Sequence, residues 1–550
     1  VSADITAHPW RASLRGAIWL LVHGLLLALS LPPVGWWPLA FVSLVPVILA
    51  AKTIARISFR WRFASGLGLL PFWMFTHLWT LEVTAAGYIP LCIIVALISH
   101  IAVLLIALCD RKGISMGFAL AACWTALEFF RGTLAFDGYP WAFVSHPLIE
   151  WWPAASPAIG SSVYAVTFLL AFLQGAAYEL VQRRSAMTIS APIACLGMWI
   201  ICAILGARGT EQPGRSIRIA AIQTNVPQSN KLGWNLDQQL DDWREIRSLA
   251  TEAIQESPDL IIWPETMIPG ITLSPQANEA LSAKQIVYQT KDGRGIAADF
   301  FAKDLLRLQA QCAIPMLVGD EGIEDLRVIE DQNGITLDYG KRLNSVFLVQ
   351  GGETVDRYDK IHLTPFGEVM PYIRAWPWLQ ERMLAIGASG MSFSLSAGSD
   401  TEPLIVRSPE GEDLLRAVTP ICFESTDHAL IRSMIFDHGA RRADLIVFIT
   451  NDGWFGDYDM IRTQHLQAAR WRCLENATPG ARAANTGLCA FIDRKGAIIA
   501  QGVNGNPSAN RQAGVLVGEC QIPVNDALPT TVPIATYAVF LLFFRRAKAD

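Results

Sequence analysis

Thr419-Pro420-Ile421-Cys422-Phe423-Glu424-Ser425 follows an apolar run from Leu414 to Val418 and precedes a helical pattern from Asp427 to His438. The run reads as a buried strand and the pattern as an amphipathic helix, so Cys422 is predicted at a strand-to-helix elbow. A thiolate there would gain from the positive end of a helix and stay open to attack from above a sheet. A single cysteine is better explained as a small buried apolar residue. The other residues that accompany it favour chemistry.

Working outward, an α/β pattern occupies the chain from Ser216. Strands are predicted at Ile217–Gln223, Leu260–Trp263, Pro315–Gly319, Ser345–Gln350, Leu414–Ile421, Leu445–Thr450 and Cys489–Ile492. Amphipathic helices are predicted at Asp237–Glu256, Ala297–Gln311 and Arg462–Glu475. Gly270–Gly295 and Glu321–Gly340 read as insertions, the second a hairpin through Asp331-Gln332-Asn333-Gly334.

Two motifs give Cys422 a chemical context. Asp259-Leu260-Ile261-Ile262-Trp263-Pro264-Glu265 ends an apolar strand on a carboxylate, where α/β sheets place functional groups. Arg357-Tyr358-Asp359-Lys360-Ile361-His362-Leu363-Thr364-Pro365-Phe366-Gly367-Glu368 puts a lysine in a loop punctuated by proline and glycine. Alone, each charge is a surface charge. Together they form a set suited to acyl transfer, with Glu265 as base, Cys422 as nucleophile and Lys360 as partner of the oxyanion.

The first third of the chain has a different solvent. The protein is 550 residues long, with 52% hydrophobic and only 17% charged residues. The apolar residues crowd before residue 208 and near the C-terminus. Ala17–Ala51 has no charged residue but is broken at Leu31-Pro32-Pro33-Val34-Gly35, which predicts a hairpin of two spans. Five more are predicted at Phe63–Leu81, Tyr88–Cys109, Gly113–Phe130, Gly160–Leu180 and Ile189–Ala207, and a short eighth at Thr531–Phe544. The first is read as a span rather than a signal peptide, because no small-residue cleavage site follows it. The expected division is therefore a membrane domain over 1–210, an α/β domain over 211–526, and a terminal span with its tail over 527–550.

Charge sets the expected orientation. Arg11 and Arg15, then Lys52, Arg56, Arg60 and Arg62, then Arg111 and Lys112, then Arg183 and Arg184, then Arg545, Arg546 and Lys548 occupy alternate loops and ends. The other loops are nearly bare, with Arg131 the main exception. Basic loops stay cytoplasmic, which places both termini inside and the large domain outside, the periplasm if the source is a bacterium. A net charge of -5 and the lack of a basic tract argue against nucleic acid.

Neither a metal nor a disulfide scaffold is expected in the α/β domain. Its cysteines, Cys312, Cys422, Cys473, Cys489 and Cys520, are odd in number and lack CxxC spacing. Its histidines, His362, His428, His438 and His465, lack ligand spacing and read as core or surface residues.

Glu265, Lys360 and Cys422, in the settings WPE, DKIHLTPFGE and ICFE, resemble the Glu-Lys-Cys triad of the nitrilase (carbon-nitrogen hydrolase) superfamily, whose domain is an α-β-β-α sandwich. With seven spans before that domain and one after, the chain resembles the apolipoprotein N-acyltransferase family. That likeness extends over Leu31–Leu39, Phe130-Arg131-Gly132, Asn451–Gly456, Gln464-His465-Leu466 and Arg482–Gly487. It implies an inner-membrane enzyme without cofactor, working by a ping-pong mechanism through a thioester on Cys422. The implied acyl donor is a phospholipid, phosphatidylethanolamine by resemblance, and the acceptor is the amine of a diacylglyceryl-cysteine on an apolipoprotein. It also implies that Glu368 supports the lysine, that Glu424 follows the nucleophile, that Trp234 and Trp454 lie on arms near the lipid entrance, and that Trp376–Ser396 is a lid. Phe423 replaces a frequent tyrosine, Gly453 a frequent alanine, and His146-Pro147 interrupts a segment that usually reads Gly-Tyr-Ser. A membrane-tethered amidase and a non-catalytic scaffold of the same fold are the alternatives.

Overall fold

The computed structural model describes residues 8–210, 214–227, 234–331, 334–369, 378 and 395–523. The predicted eighth span, with all of the expected C-terminal segment 527–550, and most of the lid segment lie outside these residues.

The N-terminal region is helical: α1 (Pro9–Ser30), α2 (Val45–Ile54), α3 (Leu70–Thr76), α4 (Ala85–Arg111), α5 (Met116–Thr133), α6 (Val163–Gln182) and α7 (Ala186–Thr210). Among the described residues, five helical stretches are long and apolar enough to cross a membrane: Pro9–Ser30, Trp37–Ile54, Ala85–Arg111, Val163–Gln182 and Ala186–Arg208. Two of the seven predicted spans are not of this kind. Phe63–Leu81 is broken into short helical pieces, with Gly68 pressed so closely on the Ala17 backbone that a side chain has no room. The segment at Gly113–Phe130 forms the continuous helix α5, but it buries Glu128 and Arg131 in its last turns.

Those two charges organise the loop that faces the second domain. Glu128 accepts from Thr167 Oγ1 at 2.7 Å, Val144 N at 2.9 Å and Trp124 Nε1 at 3.1 Å. Arg131 donates to the carbonyls of Tyr139 and Trp141 and lies 4.9 Å from the ring centroids of both Trp73 and Phe143. The exception in the charge alternation is thus a buried clamp rather than a loop charge.

The α/β domain holds two six-stranded mixed sheets. The first contains β1 (Gly214–Gln223), β2 (Leu260–Ile262), β3 (Met316–Glu324), β4 (Lys341–Gln350) and β5 (Glu353–Asp359). The second contains β6 (Leu404–Arg407), β7 (Asp413–Val418), β8 (Leu445–Thr450), β9 (Gly480–Ala484), β10 (Ala490–Ile492) and β11 (Ile498–Gln501), and β12 (Gly514–Pro523) returns to the first. The orders are β12-β1-β2-β3-β4-β5 and β6-β7-β8-β9-β10-β11. In each sheet three neighbouring strands are parallel, β1-β2-β3 and β7-β8-β9, and the flanking pairs are antiparallel.

The two-residue side-chain period sorts the first sheet into two faces. Ile217, Ile219, Leu260, Ile262, Val346 and Leu348 pack with the second sheet. Ala220, Ile222, Ile261, Met316, Val318 and Phe347 face the opposite way, onto α8 (Leu236–Gln255) and α9 (Phe300–Cys312). Helix α8 carries the complementary stripe, Leu240, Trp243, Ile246, Ala250 and Ala253, and starts at an Asn235 cap that accepts from Gln238 N at 3.1 Å. Helices α10 (His428–Ile435) and α11 (Asp459–Asn476) cover the second sheet.

Helix α11 is polar in composition yet almost wholly buried, because it packs against both domains. Leu466, Ala469 and Cys473 join the sheet core, while Ile461, Trp471 and Leu474 join the core of the membrane bundle. Its polar groups find partners across the junction. Trp141 Nε1 donates to Gln464 Oε1 at 2.9 Å, Arg470 pairs with Glu150 at 2.7 Å, and Val163 N donates to Glu475 Oε1 at 2.7 Å.

Candidate active site

Strand exits converge on one point between the sheets. Glu265 lies three residues beyond β2, Lys360 directly follows β5, Cys422 lies four residues beyond β7, and Asn451 directly follows β8. The bridge between Ile421 and Ile449 aligns the last two exits.

Lys360 is fully buried between two carboxylates. Its Nζ is 2.6 Å from Glu368 Oε2 and 4.0 Å from Glu265 Oε1, and it donates to Thr364 Oγ1 at 3.2 Å. Burial opposes its charge, but Glu368 and Glu265 outweigh burial and hold the pKa above the usual ammonium range. Burial raises the pKa of Glu368, yet the lysine overcomes this and holds it below the usual carboxylate range. The pair therefore stays ionised in a dry site.

Asn344 bridges the same two acids, donating from Nδ2 to Glu265 Oε1 at 2.7 Å and to Glu368 Oε1 at 3.2 Å. The second oxygen of Glu265 accepts from Asn451 N at 2.6 Å. Both oxygens of Glu265 are thus oriented, and a carboxylate so held keeps lone pairs free to take a proton.

Cys422 adopts φ 53°, a left-handed conformation rare for a residue with a side chain, at the start of a 3-10 turn over Cys422–Thr426. Burial raises the pKa of its thiol well above the ordinary value, the Glu265 carboxylate adds to the rise, and Lys360 opposes it. A resting thiol of this kind needs a base to become a nucleophile.

The expected help from a helix N-terminus is not realised. The 3-10 turn intervenes, and Asp427 caps α10, accepting from Ala429 N and Leu430 N at 3.0 Å each. The predicted helix to His438 also stops at Ile435, where Phe436–Asp437 and Ala440–Arg441 pair as a small hairpin.

Glu424 ties the turn to the lysine loop. One oxygen accepts from Ile421 N at 2.7 Å, and the other from Ile361 N at 2.8 Å, His362 N at 2.9 Å and Tyr358 OH at 2.9 Å. Burial raises its pKa, and the N–H donors of Ile421 and His362 work against that rise.

A second buried cluster supports the same turn from behind. Asp452 Oδ1 faces His465 Nδ1 at 2.8 Å, and Asp452 Oδ2 accepts from Arg482 at 2.8 Å. His465 Nε2 in turn lies 2.8 Å from Ser425 Oγ and 3.1 Å from the Cys422 carbonyl. Burial raises the Asp452 pKa, but Arg482 and His465 outweigh it and hold the carboxyl far below its usual range. Next to it, Asn485 donates to Asn451 Oδ1 at 3.0 Å and accepts from Thr224 and Val226 at 2.8 and 2.7 Å.

Of the residues singled out in the sequence, Glu265, Lys360, Glu368 and Glu424 are joined through these bonds to the turn that carries Cys422. Trp454 lies half-buried in the short turn after Asn451. Trp234 donates its indole N–H to Asp242 at 2.6 Å and packs on the outer core with α8. Asn344 carried no sequence signal, being one polar residue within a strand. His465 and Asp452 lie in motifs already noted but without an assignable task, and His362 pairs through Nδ1 with Asp427 at 2.9 Å.

A carboxylate, a half-buried thiol and a buried ammonium thus lie at the exits of two facing sheets. Residues 218–522 match the carbon-nitrogen hydrolase family, and residues 23–176 match the apolipoprotein N-acyltransferase N-terminal domain. The chain belongs to the carbon-nitrogen hydrolase superfamily and, with both domains in that order, to its apolipoprotein N-acyltransferase family. It is similar to the apolipoprotein N-acyltransferase of Geobacter metallireducens, with 28% identity over 88% of this chain and 86% of that one. It is also similar to the enzyme of that name from Pseudomonas aeruginosa, with 26% identity over 94% and 91%. Among solved structures, a carbon-nitrogen hydrolase from Helicobacter pylori aligns over 61% of this chain and 97% of that one, with 11% identity and a TM-score of 0.31.

Proposed function

We propose that this chain moves a fatty acyl group from a phospholipid, phosphatidylethanolamine by resemblance, to the α-amino group of an N-terminal diacylglyceryl-cysteine on an apolipoprotein. The observation that carries this reading is the buried Lys360 held between Glu265 and Glu368, in a domain docked on a helical membrane bundle through α11. The helical region before the α/β domain, with its five membrane-length apolar helices among the described residues, anchors it to the bacterial inner membrane. Residues 211–526 face the periplasm and both termini the cytoplasm, a reading that the alternation of basic loops supports.

Glu265 takes the Sγ–H proton of Cys422, and the thiolate attacks the ester carbonyl of the donor. The resulting oxyanion forms beside the Lys360 ammonium, whose charge is already fixed and desolvated. Collapse breaks the ester C–O bond, and the departing lysophospholipid alkoxide takes the proton back from Glu265. The acceptor amine then attacks the thioester, gives a proton to Glu265 and expels the thiolate, which is reprotonated. Glu368 and Asn344 position the lysine and the base. Trp234 and Trp454 serve the lipid entrance. A membrane suits this sequence because donor and acceptor are both lipid-anchored.

The amidase alternative differs at the second half-reaction. Acyl-enzyme should persist in water and discharge when a lipopeptide with a free diacylglyceryl-cysteine amine is added, giving the N-acyl product. Equal discharge with an N-blocked lipopeptide would instead assign hydrolysis.

A further inference from the structure

A cleft of about 1430 Å³ lies on the outer side of α5, α6 and the start of α7, apart from the Glu265–Lys360 site. Its lining follows α6 from Ser162 to Gln182, a run of roughly 30 Å at the helical rise and hence about the thickness of a bilayer's hydrocarbon core. The volume exceeds the roughly 300–1000 Å³ usual for small-molecule pockets. The walls are apolar and have helical spacing, with Phe118 and Ala122 on α5 and Ala165, Phe168, Phe172 and Ala176 on α6.

The two mouths differ in where buried polar atoms lack partners. At the mouth far from the α/β domain, Lys52 pairs with Asp110 at 2.7 Å, and Glu179 accepts from Ser115 Oγ at 2.9 Å and from Met116 N at 2.5 Å. The exposed Arg183 also lines this mouth, in water rather than in a buried position. At the mouth beside the α/β domain, the lining is Tyr164, His428 and Arg432. Among the described residues, Arg432 has no carboxylate within ion-pair distance; its guanidinium instead lies 5.4 Å from the Phe436 ring centroid, and its Nη1 is buried without a hydrogen-bond partner. The Tyr164 hydroxyl and Thr125 Oγ1, both on lining residues, are likewise buried and unpartnered.

We infer that this cleft is a glycerophospholipid site distinct from the acyl-transfer centre, with the lipid phosphate at Arg432, His428 and Tyr164 and an acyl chain along Phe118, Phe168 and Phe172. A cation and unsatisfied donors at one end of a bilayer-length apolar trough match a phosphate joined to a hydrocarbon chain, and a neutral lipid would leave the arginine unmatched. The occupant would touch α10, whose Asp427 cap also binds His362 beside Lys360.

The test uses full-length Cys422→Ala protein, delipidated in detergent and titrated with phosphatidylglycerol or with a diacylglycerol of the same chains, and read by native mass spectrometry. Phosphatidylglycerol should bind more tightly than diacylglycerol. Arg432→Gln should weaken the phospholipid at least about fivefold and leave diacylglycerol unchanged. Ala122→Trp, on the lipid-exposed wall, should block both, and thermal unfolding in detergent reports whether each variant is folded. Equal affinity for the two lipids, or phospholipid binding that neither folded variant alters, would overturn the assignment, as would occupancy by detergent alone.

Discussion

Glu424 accepts the backbone N–H of Ile361 at 2.8 Å while its other oxygen holds Ile421, so one carboxylate fastens the turn of Cys422 to the loop of Lys360. The two loops leave different sheets, and both pack on the core between them. Glu424→Gln substitutes donor hydrogens where four donors converge and leaves at least one buried N–H unmet. It should cost about 2–4 kcal/mol in unfolding free energy. Acyl-enzyme formation should fall with it, and a variant of wild-type stability and rate would show that the loops are held by other means.

Asn344 acts on the reaction only through the two acids it bridges. Asn344→Ala should preserve the fold and slow acylation roughly 10- to 100-fold, the scale of one hydrogen bond to a charged group. Lys360→Ala and Glu265→Gln should each cost about 100- to 1000-fold or more, because they remove the oxyanion partner and the base. Single-turnover acylation of purified variants measures both, and an Asn344 variant as slow as the lysine variant would make it more than a positioning residue.

His362 and Asp427 give a pH signature. Burial lowers the His362 pKa, but Asp427 outweighs burial and leaves it raised, while Asp427 is lowered to about 2. A raised histidine contributes stability that is complete below its unfolded pKa of about 6.5 and is lost as pH rises through the folded value. The depressed aspartate contributes above its unfolded pKa of about 3.9 and loses that contribution as pH falls towards about 2. The stability gap between wild type and His362→Gln should therefore be widest near pH 5 to 6 and narrow above it. A gap that stays constant from pH 5 to 9 in detergent unfolding would contradict the charged pair.

Orientation is tested in intact cells. A cysteine at Lys291, in an exposed turn of the α/β domain, should react with an impermeant thiol reagent. One at Arg183, beyond the end of α6, should react only after the membrane is opened. The reverse order would place the α/β domain in the cytoplasm.

Much of this architecture was legible because apolar runs are dictated by burial. Leu260–Ile262 and Leu445–Thr450 are entirely buried, and each appeared as a plain hydrophobic run. Strand β9, Gly-Ala-Arg-Ala-Ala, was not predicted, since packing rather than strand propensity selected its small residues: a Cβ on Gly480 would lie 2.6 Å from Cys473 Sγ and 2.9 Å from Phe448. The acids and the lysine were visible at strand exits. Asn344 and the Asp452–His465–Arg482 cluster were not, because their partners are 79, 13 and 30 residues away and only the sheets bring them together. Phe63–Leu81 reads as a span because its composition is apolar throughout, whereas the structure breaks it into short pieces where Gly68 meets the Ala17 backbone.

The most direct measurement is the mass of the intact protein after incubation with phospholipid. Wild type should gain one fatty acyl group, released by hydroxylamine and mapped by peptide digestion to Cys422, while Cys422→Ser should gain none because an alkoxide is far harder to generate near neutral pH. Acyl mass on Cys312, Cys473, Cys489 or Cys520, or no adduct on a folded wild-type protein, would contradict the account.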